Sequence, residues 1–290
     1  MYEEYRKFLG PVRPCLICGT DANGESRETW AADEYFKALR CQSCGLVTIE
    51  PSLTEEGLSA FYSNYIQRRF DNESKMQKRQ IQYKQDLSFL YQHITEGAVL
   101  DVGCNGGFFL AEFDEKFQKY GIEIDEEAVR HARDSYGLDV RFEKFGEDTF
   151  QADYFDLVVF RGVIEHMYDP NSALQRAHEV LKPGGLLYFT ATPNLDCLCA
   201  EVYREKWNVW HPIEHINIFS ADTLHSLLGR EHFELLAADY PYLGTPYEDQ
   251  EEDSRTLLDD IYKKISGRWD EVKKSPPFWG NMMSVIYRKL

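Results

Sequence analysis

The stretch Val99-Leu100-Asp101-Val102-Gly103-Cys104-Asn105-Gly106-Gly107-Phe108 decides the fold. An apolar run ends in an acid, passes through glycines and opens a second apolar segment, which predicts a strand, a tight turn and a helix over residues 108–117. Glycines at such a turn let the backbone approach a ligand at the carboxyl edge of a sheet. By itself, however, this glycine pattern also suits an ordinary connection between a strand and a helix.

Strands and helices alternate outward from this turn. Apolar runs predict strands at residues 98–102, 120–124, 140–142, 155–160, 186–190, 233–238 and 283–287. Helical patterns cover residues 126–135, 171–180 and 254–265. This alternation predicts an α/β fold with a mostly parallel, doubly wound sheet.

An acidic residue, Glu123, ends the strand that follows the glycine turn. It lies about twenty residues beyond the turn, where an acid can accept hydrogen bonds from ribose hydroxyls. The glycines do not follow the Gly-x-Gly-x-x-Gly pattern and Asp101 precedes them, so a dinucleotide fits less well. In its position, Asp101 is suited to accept a hydrogen bond from a ligand ammonium or to order the loop.

Four of the seven cysteines form two Cys-x-x-Cys pairs, Cys15 with Cys18 and Cys41 with Cys44. Each pair is followed by a glycine, and 22 residues separate the pairs. Two such turns supply the four thiolates of a tetrahedral zinc site, held by a hairpin with strands near residues 28–30 and 38–41. All four metal positions are then filled, so the predicted zinc is structural rather than catalytic. A redox pair or a chance pairing is the alternative.

Composition and charge exclude several classes of protein. The 290 residues are 43% hydrophobic, which is enough for a core and excludes a wholly disordered chain. The net charge of −17 disfavours a nucleic-acid partner, because an acidic surface repels phosphates. No apolar run approaches the ~18–20 residues that span a bilayer, which predicts no membrane partner. Because the N-terminus lacks the layout of a signal peptide, we expect a cytoplasmic location with reduced thiols.

The chain is predicted to contain three segments. They are a zinc ribbon (residues 1–55), a helical lid (56–95) and a cofactor-binding domain (96–290) with an insertion between its last two strands (241–278). In the lid, Tyr62, Tyr65 and Arg69 could reach a cofactor carboxylate, although an amphipathic core stripe explains the tyrosines equally well. The acidic run of residues 248–253 is expected to be a solvated loop.

In combination, the motifs resemble those of the class I S-adenosylmethionine (SAM)-dependent methyltransferases. The resemblance covers about residues 70–290 and follows the order and spacing of that family. Its motifs are the loop of residues 101–107, Gly121-Ile122-Glu123, Phe155-Asp156-Leu157-Val158, Val163-Ile164-Glu165-His166, Leu181-Lys182-Pro183-Gly184-Gly185 and Thr192-Pro193-Asn194. The resemblance implies a Rossmann-like sheet of seven strands, the last two of which pair antiparallel.

The resemblance also implies SAM as the cofactor and assigns residues to it by position. The implied residues are Asp101, Gly103, Cys104 and Gly107 around the methionine, Glu123 at the ribose, Ile124 and Gly146-Glu147-Asp148 at the adenine, and Arg161 and Gly162 at the reacting end. Asn105 departs from the family's usual small residue or glycine. Asparagine tolerates a left-handed backbone, so we expect binding to survive this change.

Two features resemble particular branches of the family. Glu165-His166 followed by Leu-Lys-Pro-Gly-Gly resembles the branch that methylates quinone precursors and small hydroxylated metabolites. Some of those relatives bind a metal beside the Glu-His pair through an acid three residues earlier. Gly162 stands there in this chain, which argues against a catalytic magnesium. The zinc-ribbon extension resembles enzymes of sugar and natural-product pathways.

A polar and aromatic segment, residues 207–220, follows the fifth strand on the side where ligands bind in open α/β sheets. We predict His166 and His215 as candidate bases for the acceptor's proton, because imidazole titrates near neutrality. Each has a structural alternative, a backbone hydrogen bond for His166 and packing against the sheet for His215. His211 lies four residues before His215, but Pro212 interrupts a helix that would present both to a metal.

The sequence therefore predicts methyl transfer from SAM to a hydroxyl of a small molecule, such as a sugar or natural-product intermediate. Transfer to nitrogen or carbon stays open, as does a tRNA or protein substrate docked on the zinc ribbon. Residues 1–60 carry six basic and ten acidic side chains, which disfavours docking of tRNA. An inactive scaffold is a further alternative, against which the intact Asp101, Gly103 and Glu123 count. The oligomeric state is left open.

Overall fold

Two sheets carry the fold. The computed structural model describes residues 3–21, 26–62, 73–147 and 150–290. Its strands are β1 (Arg27–Ala32), β2 (Lys37–Cys41), β3 (Val47–Ile49), β4 (Gly97–Val102), β5 (Phe117–Glu123), β6 (Asp139–Phe142), β7 (Phe155–Arg161), β8 (Leu181–Pro193), β9 (Asn217–Ile218), β10 (Phe233–Asp239) and β11 (Met282–Lys289). Its α-helices within these ranges are α1 (Glu55–Tyr62), α2 (Glu73–Leu90), α3 (Phe108–Ala111), α4 (Glu126–Tyr136), α5 (Pro170–Val180), α6 (Leu198–Tyr203), α7 (Ala221–Leu228) and α8 (Gln250–Ile265).

Seven of the described strands form one sheet, in the order β10-β11-β8-β7-β4-β5-β6. Strands β4 to β8 run parallel, whereas β11 lies antiparallel between β8 and β10. The chain enters at β4, winds outward to β6 and returns on the other side of β4 as β7. This reversal opens a crevice at the carboxyl edge of the sheet, where ligands bind. The doubly wound sheet and its antiparallel last pair confirm the prediction.

The core lies on both faces of this sheet. The four central residues of β7, from Leu157 to Phe160, are each fully buried. Val158 and Phe160 belong to the apolar cluster on one face, and Leu157 and Val159 to the cluster on the other. A strand covered on both sides reads as a continuous apolar run, which is why its position could be predicted.

The helix predicted over residues 108–117 is wrong in length. Helix α3 ends at Ala111, and Phe117 already opens β5. Asp114 stops the helix, because its side chain accepts a hydrogen bond from the Lys116 amide at 3.0 Å and its carbonyl accepts one from the Phe117 amide at 3.1 Å. The apolar spacing that suggested a longer helix belongs to aromatic rings stacked edge to face, with Phe113 at 5.3 Å from both Phe109 and Phe117.

The Lys182-Pro183-Gly184-Gly185 turn lies inside β8 rather than before it. In the register of β7 with β8, Phe155 pairs with Leu181 and Leu157 already pairs with Leu186. The four residues of the turn therefore form a bulge in the ladder, and a left-handed Gly184 (φ +76°) allows it.

The acidic run of residues 248–253 is not a solvated loop, which corrects that expectation. Helix α8 starts within it, and Asp249 caps the helix by accepting a hydrogen bond from the Glu252 amide at 3.2 Å. Asp253 is buried and accepts a hydrogen bond from the Tyr242 hydroxyl at 2.6 Å. Acids in the first turn stabilise a helix by opposing its dipole.

The four other described strands form a small antiparallel sheet, β1-β2-β3-β9. The β1–β2 hairpin matches the predicted ribbon strands. The last strand of the small sheet, β9, comes from the segment after β8. Ile218 of β9 pairs with Val47 of β3. The small sheet therefore crosses the predicted boundary at residue 55. No helix of the described residues is both long and apolar enough to cross a membrane.

Candidate active site

In the glycine loop after β4, two glycines have a backbone conformation and close packing that disfavour any side chain. Gly103 and Gly107 adopt left-handed conformations, with φ of +69° and +79°. A Cβ on Gly103 would lie 2.9 Å from Val163 Cγ2, and one on Gly107 would lie 2.6 Å from Leu138 Cδ1. The loop is thus packed too closely for a side chain at Gly103 or Gly107.

Asn105 takes the left-handed conformation predicted for it, with φ of +51°. Its side-chain oxygen accepts a hydrogen bond from the Gly106 amide at 2.7 Å. Asparagine is one of the few residues with a side chain that reaches this region at low cost, because its short amide bonds the local backbone.

Glu123 ties the glycine loop to the end of β5. Its carboxylate accepts hydrogen bonds from the amides of Asn105 (2.8 Å), Ile124 (2.7 Å) and Asp125 (3.0 Å). Burial raises the pKa of this carboxyl, and the three amides oppose that shift. Each carboxylate oxygen has two lone pairs, so Oε2, which accepts only the Asn105 amide, keeps capacity for one ribose hydroxyl.

Asp101 is a buried acid at the end of β4, 2% exposed. Burial raises its pKa to about 8; the charge of Arg161 opposes the shift and that of Glu123 adds to it. Among the described residues, its Oδ1 atom has no hydrogen-bond donor. A buried acceptor left in this state costs ~1–3 kcal/mol, which a cationic donor from a ligand would recover.

The side chain of Cys104 packs directly against Gly121. Cys104 is buried, and a Cβ on Gly121 would lie 2.6 Å from its sulfur. Burial raises the pKa of the Cys104 thiol well above its ordinary value, so the side chain is a packing group. Any contact of Cys104 with a cofactor would therefore be made by its backbone in the glycine loop.

The residues predicted at the adenine are exposed where the structure describes them. Ile124 and Phe142, at the ends of β5 and β6, are 48% and 54% exposed, an apolar surface of the kind that an adenine ring covers. Glu147 is exposed and lies 3.7 Å from the Lys144 ammonium. Asp148, also predicted here, lies outside the described residues, as do Tyr65 and Arg69.

Arg161 at the end of β7 pairs with a residue that sequence reasoning missed. Its Nε and Nη2 atoms donate to Asp86 Oδ2 on α2 at 3.0 and 2.9 Å, and its guanidinium lies over the Tyr83 ring at 4.4 Å. The Asp86 carboxylate is buried and keeps Arg161 charged. An acid on the apolar face of α2, between Tyr83 and Leu87, was the available signal. Arg161 thus anchors α2 across the sheet edge.

Glu165, His166 and His215 converge beside Gly162. Glu165 and His166 lie in a 3-10 turn, Ile164–His166, just after β7, and His215 lies in the segment just before β9. One ligand atom from each lies within 4.8 Å of the others, and the two imidazole rings meet edge to face at 4.9 Å. A Cβ on Gly162 (φ +61°) would lie 3.8 Å from Glu165 Oε1. We call these three side chains the acid–histidine cluster.

A hydrogen bond at Nδ1 orients each of the two imidazole rings. His215 Nδ1 lies 2.8 Å from the Val209 carbonyl, which can only accept, so Nδ1 carries a proton and Nε2 bears the lone pair of the neutral ring. His166 Nδ1 lies 2.6 Å from the Tyr62 hydroxyl. Tyr62 was one of the candidates for contact with a cofactor carboxylate, and in the structure its hydroxyl lies on His166. His211 lies next to the cluster, with its ring 5.3 Å from that of His215.

Arg13 of the ribbon holds the two histidine segments together, which sequence reasoning also missed. This residue is buried and pairs with the buried Glu50 at 3.1 Å. Its guanidinium donates to the carbonyls of Tyr168 at 3.2 Å and Ile216 at 3.5 Å, just beyond His166 and His215. Asn217 joins the same segments directly, because its amide donates to the Met167 carbonyl at 2.7 Å.

The four ribbon cysteines converge as predicted. Cys15 Sγ lies 3.3 Å from Cys44 Sγ, Cys18 Sγ lies 3.5 Å from Cys41 Sγ, and all four lie within 4.8 Å of one another. Four thiolates ~2.3 Å from a tetrahedral zinc would be about 3.8 Å apart. The donor set and its spacing therefore fit a structural zinc ion.

Comparison with known proteins decides the family. The family model described as a methyltransferase domain matches residues 56–238. The chain belongs to this family. An uncharacterized protein of Methanocaldococcus jannaschii is 28% identical over 162 residues, which cover 56% of this chain and 76% of that protein. A ubiquinone biosynthesis O-methyltransferase of Idiomarina loihiensis is 31% identical over 116 residues, 36% of this chain but less than half (47%) of that enzyme.

The fold agrees with this assignment. A solved SAM-dependent methyltransferase of Thermotoga maritima has a TM-score of 0.56 to this methyltransferase at 17% identity, covering 80% of this chain and 100% of that one. At such low identity the likeness shows the fold, a Rossmann-like methyltransferase sheet. The enzyme is a SAM-dependent methyltransferase, and it acts on an acceptor substrate.

The carboxyl edge of the seven-stranded sheet fits this methyl donor. The ammonium of SAM would satisfy the buried Oδ1 of Asp101, which precedes the closely packed glycine loop. Glu123 has acceptor capacity for the ribose, and Ile124 offers apolar surface to the adenine. When bound, SAM supplies an electrophilic methyl group on a sulfonium.

Proposed function

We propose that this methyltransferase transfers the methyl group of SAM to a hydroxyl of a small molecule, such as a sugar or natural-product intermediate. The observation that carries the proposal is the acid–histidine cluster. Its residues Glu165 and His166 directly follow β7, and Val163 beside them packs on Gly103 of the glycine loop. Groups that manage a proton therefore lie next to the predicted reacting end of the donor.

The reaction requires an in-line attack of the acceptor oxygen on the methyl carbon. The protein must hold the oxygen ~3–3.5 Å from that carbon and remove its proton. His215 suits the second task, because the Val209 carbonyl accepts a hydrogen bond from Nδ1–H and makes Nε2 the acceptor nitrogen of the neutral ring. A hydroxyl acceptor needs such help more than a neutral amine, because the lone pairs of its oxygen are less nucleophilic than that of an amine nitrogen.

The relatives and the charge of the ribbon support a small acceptor. The Idiomarina relative is an O-methyltransferase of ubiquinone biosynthesis. The excess of acidic side chains in residues 1–60 disfavours a tRNA substrate.

We further propose that Cys15, Cys18, Cys41 and Cys44 bind one structural zinc ion. The spacing of the four sulfurs supports this role, and Gly19 and Gly45, both left-handed, give each Cys-x-x-Cys turn its shape. Elemental analysis of the purified protein tests it, with about one zinc per chain expected from this site. Normally folded protein without metal would contradict it.

Calorimetry and an acceptor screen test the methyl-transfer proposal. We expect both SAM and its demethylated product to bind, and wild-type protein to transfer labelled methyl groups to hydroxylated small molecules. An Asp101→Ala variant should lose most of its affinity for both cofactor forms. Transfer confined to amines, carbon atoms or tRNA would overturn the choice of acceptor, whereas failure to bind either cofactor form would overturn the assigned cofactor edge.

A further inference from the structure

We propose that Glu165, His166 and His215 bind a divalent transition-metal ion at the acceptor end of the active site. The proposal that the metal acts on the acceptor rests on the proposed function, whereas metal binding itself is independent of it. Two imidazoles and one carboxylate on one side of an ion are a donor set that suits iron, cobalt, nickel or zinc.

The geometry of the cluster supports a shared metal ion. His166 Nε2 lies 3.8 Å from Glu165 Oε1, and the third ligand atom lies within 4.8 Å of both. Two ligands each ~2.1 Å from one ion are roughly 3–3.5 Å apart. A small rotation of the side chains is therefore enough to bring all three into contact with the ion.

The hydrogen bonds around the cluster match those of metal-binding histidines. Such residues donate their other ring N–H to a carbonyl or another acceptor, which fixes the ring and its tautomer. His215 does so to the Val209 carbonyl, and the Tyr62 hydroxyl is able to accept the same bond from His166 Nδ1. In both rings Nε2 is then the coordinating atom.

The third ligand comes from a segment far away in the chain. The sequence argued against a metal because Gly162 stands where some relatives have an acid. The structure places His215 in the cluster instead, 49 residues after His166. Arg13 and Asn217 hold the two segments in register, so the cluster has a rigid frame.

A metal ion here would replace His215 as the group that activates the acceptor, because a coordinated Nε2 has no lone pair left to take a proton. A hydroxyl bound to a divalent ion becomes much more acidic, as bound water does when its pKa falls from 15.7 to ~7. The proton leaves to solvent, and the metal-bound alkoxide attacks the methyl carbon. The oxygen–carbon bond forms as the carbon–sulfur bond breaks, and its electron pair returns to sulfur, which leaves as the neutral thioether.

Cobalt(II) is the probe that tests the site. Full-length protein with its ribbon metal in place is titrated with Co²⁺ and followed by calorimetry and visible absorption. We expect one further equivalent to bind, with the weak bands of nitrogen and oxygen ligands. Strong thiolate-to-cobalt charge transfer would instead report exchange into the ribbon, and if it accounts for all the bound cobalt, the proposal is wrong.

Variants separate the ligands from their surroundings. His215→Gln and Glu165→Gln should each weaken Co²⁺ binding at least a hundredfold, and Tyr62→Phe should weaken it about tenfold through the orientation of His166. His211→Gln is the matched control, since this ring lies beside His215 outside the cluster, and it should bind Co²⁺ like wild type.

Binding of the demethylated cofactor is measured on the same samples. Retained affinity shows that the variants are folded and keeps the two proposals distinguishable. Cofactor binding without the further equivalent of cobalt overturns the metal site alone. Cobalt binding without cofactor binding overturns the assigned cofactor edge alone.

Discussion

At the scale of one residue, Asp101 is a buried acceptor preorganised for a ligand. Its carboxyl is buried at the strand end with one oxygen lacking a donor among the described residues, and burial raises its pKa to about 8. This arrangement lowers the free energy of unfolding, since the ionised carboxylate is less stable inside the protein than in the unfolded chain. A cationic ligand group would recover that loss.

Replacing Asp101 should therefore stabilise the protein without cofactor. The folded-state pKa of about 8 lies above the ordinary 3.8, so the destabilisation is absent below pH ~4, grows with pH and levels off above about 8. We expect Asp101→Asn to raise the free energy of unfolding at pH 8 and hardly at all at pH 4, measured by urea denaturation. The exposed Glu147→Gln serves as a control that should change neither. Equal stabilisation at both pH values would contradict the prediction.

The histidines are expected to affect turnover rather than cofactor binding. His215→Ala and His166→Ala should each lower kcat ~10²–10⁴-fold, because both side chains lie in the cluster that handles the acceptor's proton. Affinity for the demethylated cofactor, measured by calorimetry, should stay near that of wild type. His211→Ala should keep near-normal turnover. Unchanged turnover in both cluster variants would remove them from the mechanism.

At the scale of elements, helix α2 is held on the seven-stranded sheet by one buried ion pair. The Arg161 guanidinium meets the Asp86 carboxylate at 2.9 Å, and the Tyr188 hydroxyl donates to the Asp86 carbonyl at 3.1 Å. Leu87 and Leu90 pack into the apolar cluster on the same face. The helix thus covers the sheet beside the predicted reacting end of the cofactor.

Breaking this pair should destabilise the protein strongly. Asp86→Ala leaves the mostly buried guanidinium of Arg161 without its partner, and such changes cost ~3–5 kcal/mol. Equilibrium denaturation measures the loss. Glu252→Ala, which removes an exposed pair with Arg255, should cost ~1 kcal/mol or less. Similar losses in the two variants would show that Arg161 finds another partner.

Elements of this fold could be predicted where a local pattern determines them. Strand β7 contains the apolar run Leu157–Phe160, and its bounds came out within one residue. Helix α3 was overextended because Phe109, Phe113 and Phe117 repeat at helical spacing while packing on one another in a turn. Strand β9 has only two residues, too few for a periodicity to appear.

At the scale of the molecule, the small sheet β1-β2-β3-β9 joins the ribbon to the segment that carries His215. Strand β9 hydrogen-bonds to β3, and Arg13 bonds the backbone next to both cluster histidines. These contacts join residues up to about 200 positions apart in sequence, which no single-sequence pattern reports. The sequence could name His166 and His215 as separate candidates, but their convergence needed the fold.

Removing the proposed ribbon zinc should therefore impair turnover while sparing cofactor binding. Chelation would release the thiolates that hold the β1–β2 hairpin, and with it the sheet that positions His215. The glycine loop lies on the other sheet, so calorimetry with the demethylated cofactor should change little. Arg13→Gln, with metal retained, should reduce kcat in the same direction. Full turnover in metal-free protein would disprove this coupling.

The pairing of β9 with β3 also sets an order for events during synthesis. Strand β3 ends at Ile49 and β9 begins at Asn217, so about 170 residues must be made before the small sheet can close. Until then the buried apolar residues of the early segment, such as Trp30 and Val47, lack the partners that Trp207 and Ile218 provide. The N-terminal segment therefore completes its folding after the chain that follows it, the reverse of the usual vectorial order.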